Sequence, residues 1–281
     1  MKSVLTDFYE FHRAICNDAL VFIFGAGISS ALTGRQYGWR EWLLDGIHGL
    51  ADVSLASALR DDLAGCSSAD ELIAAAGRVL DETKKEGTYA KWMHTSFETA
   101  EITNARLADT LRKLTIFNDV FATTNYDLLL ERATGLGTLS YEEPDKAFAM
   151  LASGQADSVL HIHGIYDSVH GIDNIIATQS QYNAILSDKG AQFIQNVLGT
   201  RTLIFVGCGK TTEDVNLSQF VAFARKYLKM DRAYYFLFNS SSRIADCRII
   251  FILFLMEMIT RICWHSLRML RKSDSKLVCP A

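Results

Sequence analysis

The sequence predicts an α/β protein built on a doubly wound, mostly parallel sheet with a helical insertion. The apolar run 19–24 is short enough to be a buried strand, and it leads directly into the glycine-rich turn Gly25–Ser29. Two later apolar segments, 119–123 and 158–162, also end in polar residues. Strands that alternate with helical patterns indicate parallel strands with helices on both faces, a Rossmann-like arrangement.

The first element is the strand and glycine turn. A Gly-x-Gly turn after a strand presents backbone N–H groups to a phosphate at the start of the next helix. The dehydrogenase form of this turn has a third glycine, where this chain has Ser30. It also needs an acidic residue at the end of a second strand about twenty residues later, and none follows here. We therefore predict a nucleotide-binding turn of another type.

The second element is a helical insertion over about residues 36–115. The segment Trp39–Leu44 opens a helical pattern, Ser68–Glu71 has the form of a capping box, and residues 104–114 continue in helical period. No convincing strand interrupts this region. It is predicted to form an all-helical subdomain beside the sheet.

The next elements place polar residues after strands. Thr124-Asn125-Tyr126-Asp127 follows the segment 119–123, and His163-Gly164 follows the strand that begins at Ser158. Ligands of open α/β sheets bind at the carboxyl ends of the strands, so these residues and the glycine turn are expected to share one crevice. Later strands are predicted at 174–177, 202–206 and 233–237.

Length, net charge and the first residues exclude some classes of function. The 281 residues suffice for one large α/β domain, and a net charge of −4 gives no broad attraction to nucleic acid or anionic lipid. We therefore expect neither direct nucleic-acid binding nor a membrane partner. The first seven residues carry an acid where a signal peptide would be apolar, so a cytoplasmic protein is expected.

The cysteines bear on metal binding. The chain has six, and no two of them form a Cys-x-x-Cys pair. Structural zinc requires closely spaced thiolates, so no metal site is expected.

In order along the chain, the three motifs resemble those of the sirtuins. The family pattern is a Gly-Ala-Gly-x-Ser turn, an Asn-x-Asp after a later strand and a His-Gly after the next one. Here these read Gly25–Ser29, Asn125-Tyr126-Asp127 and His163-Gly164. The resemblance spans roughly residues 19–240 and is closest to the bacterial antiphage-defence sirtuin-like NAD hydrolases.

The resemblance implies roles for individual residues, with NAD⁺ as substrate. Asn125 would position water or the ribose, and His163 would contact the nicotinamide ribose and act as general base. Asp127 would lie near the nicotinamide carboxamide, or act as a first-turn acid for the next helix. Ser29 would bind a phosphate or cap its helix. The residues assigned to catalysis are Asn125 and His163, and those assigned to binding are Gly25, Ala26, Gly27, Ser29, Thr124, Asp127, Gly207 and Cys208.

One further segment and one further residue could indicate other kinds of site, a P-loop and a metal site. Gly207–Thr212 resembles the end of a P-loop, but the glycine required five residues before Gly209 is replaced by Ile204. Nucleotide hydrolysis by a P-loop is therefore disfavoured. His161 lies two residues before His163, and without a third ligand to nominate it is interpreted as a supporting or structural residue.

Three functions remain open. The first is NAD⁺ hydrolysis at the nicotinamide–ribose bond, in antiphage defence by NAD depletion. The second is NAD-dependent protein deacylation, which the missing zinc module of the deacylases disfavours. The third is a non-catalytic NAD or ADP-ribose binding module, which the presence of both Asn125 and His163 disfavours. The defence proteins work in assemblies, so a homo-oligomer, a separately encoded partner protein, or both are expected.

The domain organisation follows from the same pattern. Residues 1–246 are predicted to form one sirtuin-like NAD-binding domain. Residues 247–281 are an atypical tail, with a short apolar run and then a basic stretch without clear period. A shift of reading frame would explain this tail.

Overall fold

The computed structural model describes residues 20–117, 119–153, 156–199, 201–208 and 235–237. The strands are β1 (Leu20–Phe24), β2 (Val120–Thr123), β3 (Gly137–Ser140), β4 (Ser158–His161), β5 (Tyr166–Asp167), β6 (Ile172–Asp173), β7 (Thr202–Val206) and β8 (Tyr235–Leu237). The α-helices are α1 (Ala26–Thr33), α2 (Trp39–His48), α3 (Val53–Gly65), α4 (Ala69–Lys85), α5 (Tyr89–Phe97), α6 (Ala105–Leu114), α7 (Leu129–Thr134), α8 (Pro144–Ser153), α9 (Gln179–Ser187) and α10 (Lys189–Gly199).

The main sheet confirms the predicted fold class. Within the described residues it has six strands in the order β3-β4-β2-β1-β7-β8, and every neighbouring pair is parallel. The chain moves from β1 to β2 on one side and later crosses to β7 on the other. The strand order therefore reverses at β1 and β7, and such a switch point opens a crevice at the carboxyl ends of the strands.

Both faces of the sheet are covered, because successive side chains of a strand point to opposite faces. Phe22 and Phe24 of β1 pack with apolar residues of α1, α6 and α7. Val21 and Ile23 of the same strand pack with α8 and α10 on the other face. A strand buried on both faces has to be apolar at every position, as the sequence of β1 is.

The helical insertion is confirmed as α2–α6, which lie between α1 and β2. Helices α2–α5 pack in a core around Trp42, Ile73 and Met93, which also includes Tyr126 and Tyr182 from outside the insertion. The capping box of α4 is present: the Ser68 side chain accepts from the Glu71 N–H, and the Glu71 carboxylate accepts from the Ser68 N–H. This pair satisfies two backbone donors at the start of the helix.

The predicted strand at 174–177 is wrong. The segment has no strand structure, although Ile175, Ile176 and Ala177 are buried. Its backbone bonds to the loop that follows β4, where the Ile176 N–H donates to the His163 carbonyl. The segment is therefore buried beside this loop and is not a strand of the sheet.

Three short strands, β3, β5 and β6, are not predicted from the sequence. The edge strand β3 has only four residues, and its first two, Gly137 and Thr138, are exposed, so it shows no apolar run. The pair β5 and β6 is a two-residue antiparallel ladder, too short to leave a periodic signal. The strands predicted at 202–206 and 233–237 correspond to β7 and β8.

Some predictions lie outside the described residues, namely the tail 247–281 and the segment 209–212 of the rejected P-loop. In the part of the chain that the structure describes, no helix combines the length and the apolar character needed to cross a membrane.

Candidate active site

A cavity of about 940 Å³ opens at the carboxyl ends of β1, β2 and β7. It lies between the sheet and the helical insertion, at the switch point of the strand order. Its volume is at the upper end of the usual range for small-molecule sites. From the sheet side it is lined by Ala26, Gly27, Ser30, Thr124, Asn125, Tyr126, Asp127, Gly207 and Cys208, which include seven of the predicted site residues.

Asn125 is held on several sides. Its side-chain Nδ2 donates to the Gly25 carbonyl at 3.0 Å and to the Ser29 hydroxyl at 2.9 Å, and its backbone N–H donates to Thr123 Oγ1 at 3.0 Å. The Gly25 carbonyl can only accept, which fixes the orientation of the amide. No donor among the described residues reaches the remaining atom, Oδ1. This oxygen is therefore the polar atom that Asn125 can offer to the cavity.

Ser29 lies behind the cavity wall. It is fully buried within α1, where its hydroxyl donates to Asp127 Oδ2 at 2.8 Å and accepts from Asn125. The expectation that Ser29 caps its helix is wrong, because α1 begins at Ala26 with Gly25 as the N-cap. Its predicted contact with a phosphate stays a prediction, although Ser29 is not among the residues that line the cavity.

Asp127 joins the site to the helix that follows. Its Oδ1 accepts from the Leu129 N–H at 3.0 Å, so Asp127 binds the start of α7 from a position before the N-cap Leu128, while Glu131 is the acid of the first turn; Asp127 also lies in the cavity wall. Burial raises the pKa of this carboxyl to about 6, against the lowering effect of the bonds from Ser29 and Leu129. Burial disfavours the charged form most strongly when few donors surround it. Asp127 therefore changes its charge close to neutral pH.

The glycine turn packs directly on the end of β7. The Gly27 N–H donates to the Gly207 carbonyl at 2.7 Å, and the Gly25 N–H donates to the Val206 carbonyl at 3.0 Å. Gly207 has φ +66°, a conformation that favours glycine. The turns after β1 and β7 thus form one wall, as the sequence predicts for residues of a common crevice.

His163 is placed differently from the prediction. Its side chain is buried, packs edge-on against the Tyr182 ring at 5.8 Å and does not line the cavity. Among the described residues its Nδ1 has no hydrogen-bond partner. Burial lowers the pKa of His163 to about 3, so the imidazole is neutral at physiological pH. Its role in catalysis stays a prediction.

The glycine after His163 has a steric reason. Gly164 has φ +87°, and a Cβ there would lie 2.1 Å from the Asn174 carbonyl oxygen. The chain has to turn sharply at this point to bring the buried segment 174–177 against the loop that follows β4. The glycine of the His-Gly pair is thus required by the backbone as well as indicated by the resemblance.

His161 supports Asn125, as interpreted from the sequence. It is the last residue of β4, and its ring lies fully buried between the Asn125 carbonyl, 2.9 Å from Nδ1, and the Glu131 carboxylate, 2.7 Å from Nε2. Glu131 was not predicted. It lies on α7, and an acidic residue within a short apolar helix is the pattern that could have indicated a role for it.

The helical insertion supplies the other half of the cavity, which sequence reasoning missed. Trp39 and Trp42 are three residues apart on α2 and meet edge to face at 5.7 Å, and Trp42 stacks on Trp92 at 4.8 Å. Burial, and then the Asp127 carboxylate, raise the pKa of the Tyr37 phenol. The lining residues on this side include Arg35, Gln36, Tyr37, Gly38, Trp39, Glu41, Trp42, Asp45, Gly49, Thr88, Lys91, Trp92, Thr95, Ser96 and Phe97.

A metal site was not expected, and the described residues contain no group of three or more His, Cys, Asp or Glu side chains that could hold a metal ion. In this part of the chain, the polar groups at the cavity are amide, hydroxyl and carboxyl groups of the sheet and charged residues of the insertion.

Comparison with known families agrees with the motifs. Residues 119–251 match the family model described as SIR2-like domain. This range holds Asn125, Asp127, His163, Gly207 and Cys208, while the glycine turn precedes it. SIR2-like domains engage NAD, so the match indicates an NAD-related function. Residues 119–251 are thus similar to SIR2-like domains, in agreement with the resemblance to the sirtuins that the motifs carry.

Proposed function

We propose that this protein is an NAD⁺ glycohydrolase that cleaves the bond between nicotinamide and ribose. The observation that carries the proposal is the fixed amide of Asn125, which leaves Oδ1 to accept a hydrogen bond at the cavity. The uncharged amide oxygen can hold a water molecule by accepting a hydrogen bond from it. The SIR2-like match supplies the expectation that the ligand is NAD⁺.

The chemistry requires little from the protein beyond positioning. The C–N bond to nicotinamide breaks with its electron pair leaving on the ring nitrogen, and positive charge develops on the ribose. The water oxygen then bonds to the anomeric carbon and releases a proton, which gives nicotinamide, ADP-ribose and H⁺. Holding the ribose and one water in line is the main source of rate in such a reaction.

Asn125 would accept one hydrogen bond from this water and thereby direct an oxygen lone pair at the anomeric carbon. Asp127 in the same wall would accept from the NH₂ of the nicotinamide carboxamide. Both its oxygens already accept one bond, from Ser29 and Leu129, and each carboxylate oxygen can accept a second.

His163 would orient the ribose hydroxyls or accept the proton. A buried ring nitrogen without a partner is unfavourable by about 1–3 kcal/mol, so a ligand that reaches Nδ1 would recover this energy. The neutral ring can accept a hydrogen bond, but a pKa of about 3 makes it a weak base, so proton acceptance requires that the bound ligand raise this pKa.

The two alternatives have less support. A deacylase of this family uses a zinc module with Cys-x-x-Cys pairs, and these 281 residues contain no such pair. A purely binding module would not need the full set of bonds that fix the Asn125 amide. By the resemblance to defence proteins, we propose that NAD⁺ depletion serves antiphage defence and that the active form is a homo-oligomer or a complex with a separate partner.

The test is an assay of nicotinamide and ADP-ribose release from NAD⁺ by the full chain, alone and with the products of neighbouring genes. We expect both products in equal amounts without any added peptide. Consumption of NAD⁺ only in the presence of an acyl-lysine peptide would replace this proposal with the deacylase. Tight NAD⁺ binding without turnover in either assay would replace it with the binding module.

A further inference from the structure

His161 contacts Asn125 without lining the cavity. Its Nδ1 lies 2.9 Å from the Asn125 carbonyl oxygen, and its Nε2 lies 2.7 Å from Glu131 Oε1. His161 is fully buried and Glu131 is 8% exposed. Neither lines the cavity, so the pair can affect a bound substrate only through residues of the cavity wall, by its contact with Asn125 or by its charge near Asp127.

The partners decide which atoms of the ring carry protons. A backbone carbonyl can only accept, so Nδ1 must be the N–H donor to Asn125. Nε2 then shares one proton with the Glu131 carboxylate, which fixes the tautomer and orientation of the ring, as a carboxylate does for histidines in other buried pairs. Burial by itself lowers the pKa of His161, but Glu131, the Asn125 carbonyl and Asp127 together outweigh this effect and raise it.

These bonds complete the set that fixes Asn125. Its backbone N–H is held by Thr123, its Nδ2 by Gly25 and Ser29, and its carbonyl by His161. His161 of β4 is thus the side chain that holds the Asn125 carbonyl. Without that bond the Asn125 carbonyl loses its side-chain partner, so the peptide plane after Asn125 is held less firmly and the side chain can shift with it.

We propose that His161 is a positioning residue whose Nδ1–H, oriented by Glu131, holds the Asn125 carbonyl and so sets where Asn125 presents Oδ1 to the substrate. This inference rests on the proposed NAD⁺ hydrolysis. It assigns to the buried pair an effect on the rate of the reaction and not on the affinity for NAD⁺.

The chain allows a matched test, because asparagine places its amide nitrogen near the position of Nδ1 and glutamine near that of Nε2. Both changes are made together with Glu131→Gln, which removes a carboxylate that would otherwise be buried without a partner. The variant His161→Asn/Glu131→Gln keeps the donor to Asn125, while His161→Gln/Glu131→Gln loses it. Leu130→Ala is the stability control, since Leu130 is a buried apolar neighbour of Glu131 on α7.

The expected result is a difference in kcat between the two double variants. Loss of the donor should lower kcat by roughly 10- to 100-fold relative to the asparagine variant, as a small misplacement of a reacting group does, while KM changes by less than about threefold. Leu130→Ala should lower the melting temperature with little change in kcat. If both double variants and Leu130→Ala lose kcat only in proportion to their loss of stability, the role is structural and the inference is wrong.

A second measurement does not depend on turnover or on substitution at His161. In ¹⁵N-labelled wild-type protein, Nδ1 of His161 should carry a proton throughout pH 6–8, and an unprotonated Nδ1 would overturn the inference. The side-chain amide signal of Asn125, assigned by its loss in Asn125→Ala, should shift in the glutamine double variant and not in the asparagine one. If wild-type protein hydrolyses no NAD⁺, the proposed function fails, while these signals still decide the role of His161.

Discussion

Gly27 and Gly207 meet backbone to backbone, with the Gly27 nitrogen 2.7 Å from the Gly207 carbonyl oxygen. A Cβ on Gly27 would lie 2.6 Å from that oxygen and 2.8 Å from the Gly207 Cα. No side chain can move aside to relieve such a contact. The second glycine of the turn is therefore required for packing between two strands that are far apart in sequence, in addition to any contact with phosphate.

Gly27→Ala should lower the free energy of unfolding by about 1–3 kcal/mol, the usual effect of an extra methyl group in a closely packed place. Gly65→Ala is the control, because a Cβ there meets nothing within 4 Å and alanine favours the helix. Urea unfolding of both variants gives the comparison. Equal stability of the two would show that the turn can separate from β7.

Asn125→Ala should reduce the rate of NAD⁺ hydrolysis at least about a hundredfold, the lower range for a positioned acid–base group. Binding of NAD⁺ should weaken much less, because the glycine turn and Asp127 stay in place. Steady-state kinetics and calorimetry separate the two effects. Asn183→Ala on the exposed side of α9 is the control. A variant with the parent rate would remove Asn125 from the mechanism.

His163→Ala should also reduce the rate at least about a hundredfold if the imidazole reaches the substrate. The exposed His48 offers a control at which the same change should have no effect. Product release is measured by chromatography at saturating NAD⁺. Because His163 does not line the cavity, hydrolysis at the parent rate would limit its role to packing against Tyr182.

Asp127→Asn should change how stability depends on pH. The folded state raises the pKa of this carboxyl from its ordinary 3.8 to about 6, so the folded state binds the proton more tightly than the unfolded one. Its stabilising contribution is then fully present below about pH 4 and is lost as the pH rises through 6. The difference corresponds to about 3 kcal/mol as an upper estimate.

Urea unfolding at intervals from pH 4 to 7 tests this prediction. The unfolding free energy of wild type, minus that of Asp127→Asn, should decrease steadily across the range. Titrating groups that do not interact with Asp127 cancel in the difference, whereas its neighbours Glu131 and His161 still contribute to it. A difference that does not vary with pH would mean that Asp127 has an ordinary pKa in the folded protein.

Much of the fold could be predicted because its signals are local. The apolar run of β1 and the capping box at Ser68–Glu71 each depend on a few neighbouring residues, and both are present. The segment 174–177 has the same apolar character but bonds to the loop after β4, so burial alone did not identify its structure. β3 left no signal because half of it is exposed.

The site was predictable where a side chain follows a strand, as with Asn125 and Asp127. It was not predictable where distant helices fold back over the sheet. Tyr37, Trp42 and Lys91 reach the cavity only through the packing of the insertion, which sequence periodicity does not determine. The burial of His163 depends likewise on the position of α9, whose Tyr182 covers the ring.

The strand order also affects how the protein is made. β1 is a central strand, and its partners β2 and β7 follow about a hundred and about 180 residues later along the chain. On the ribosome, the apolar residues of β1 therefore remain without their final neighbours until most of the chain has been synthesised. The contacts of helices α2–α5 with one another are close in sequence, so they can form much earlier. Protein recovery should thus be more sensitive to changes in β7 than to changes in the insertion, and chaperones would be needed mainly for the unfinished sheet.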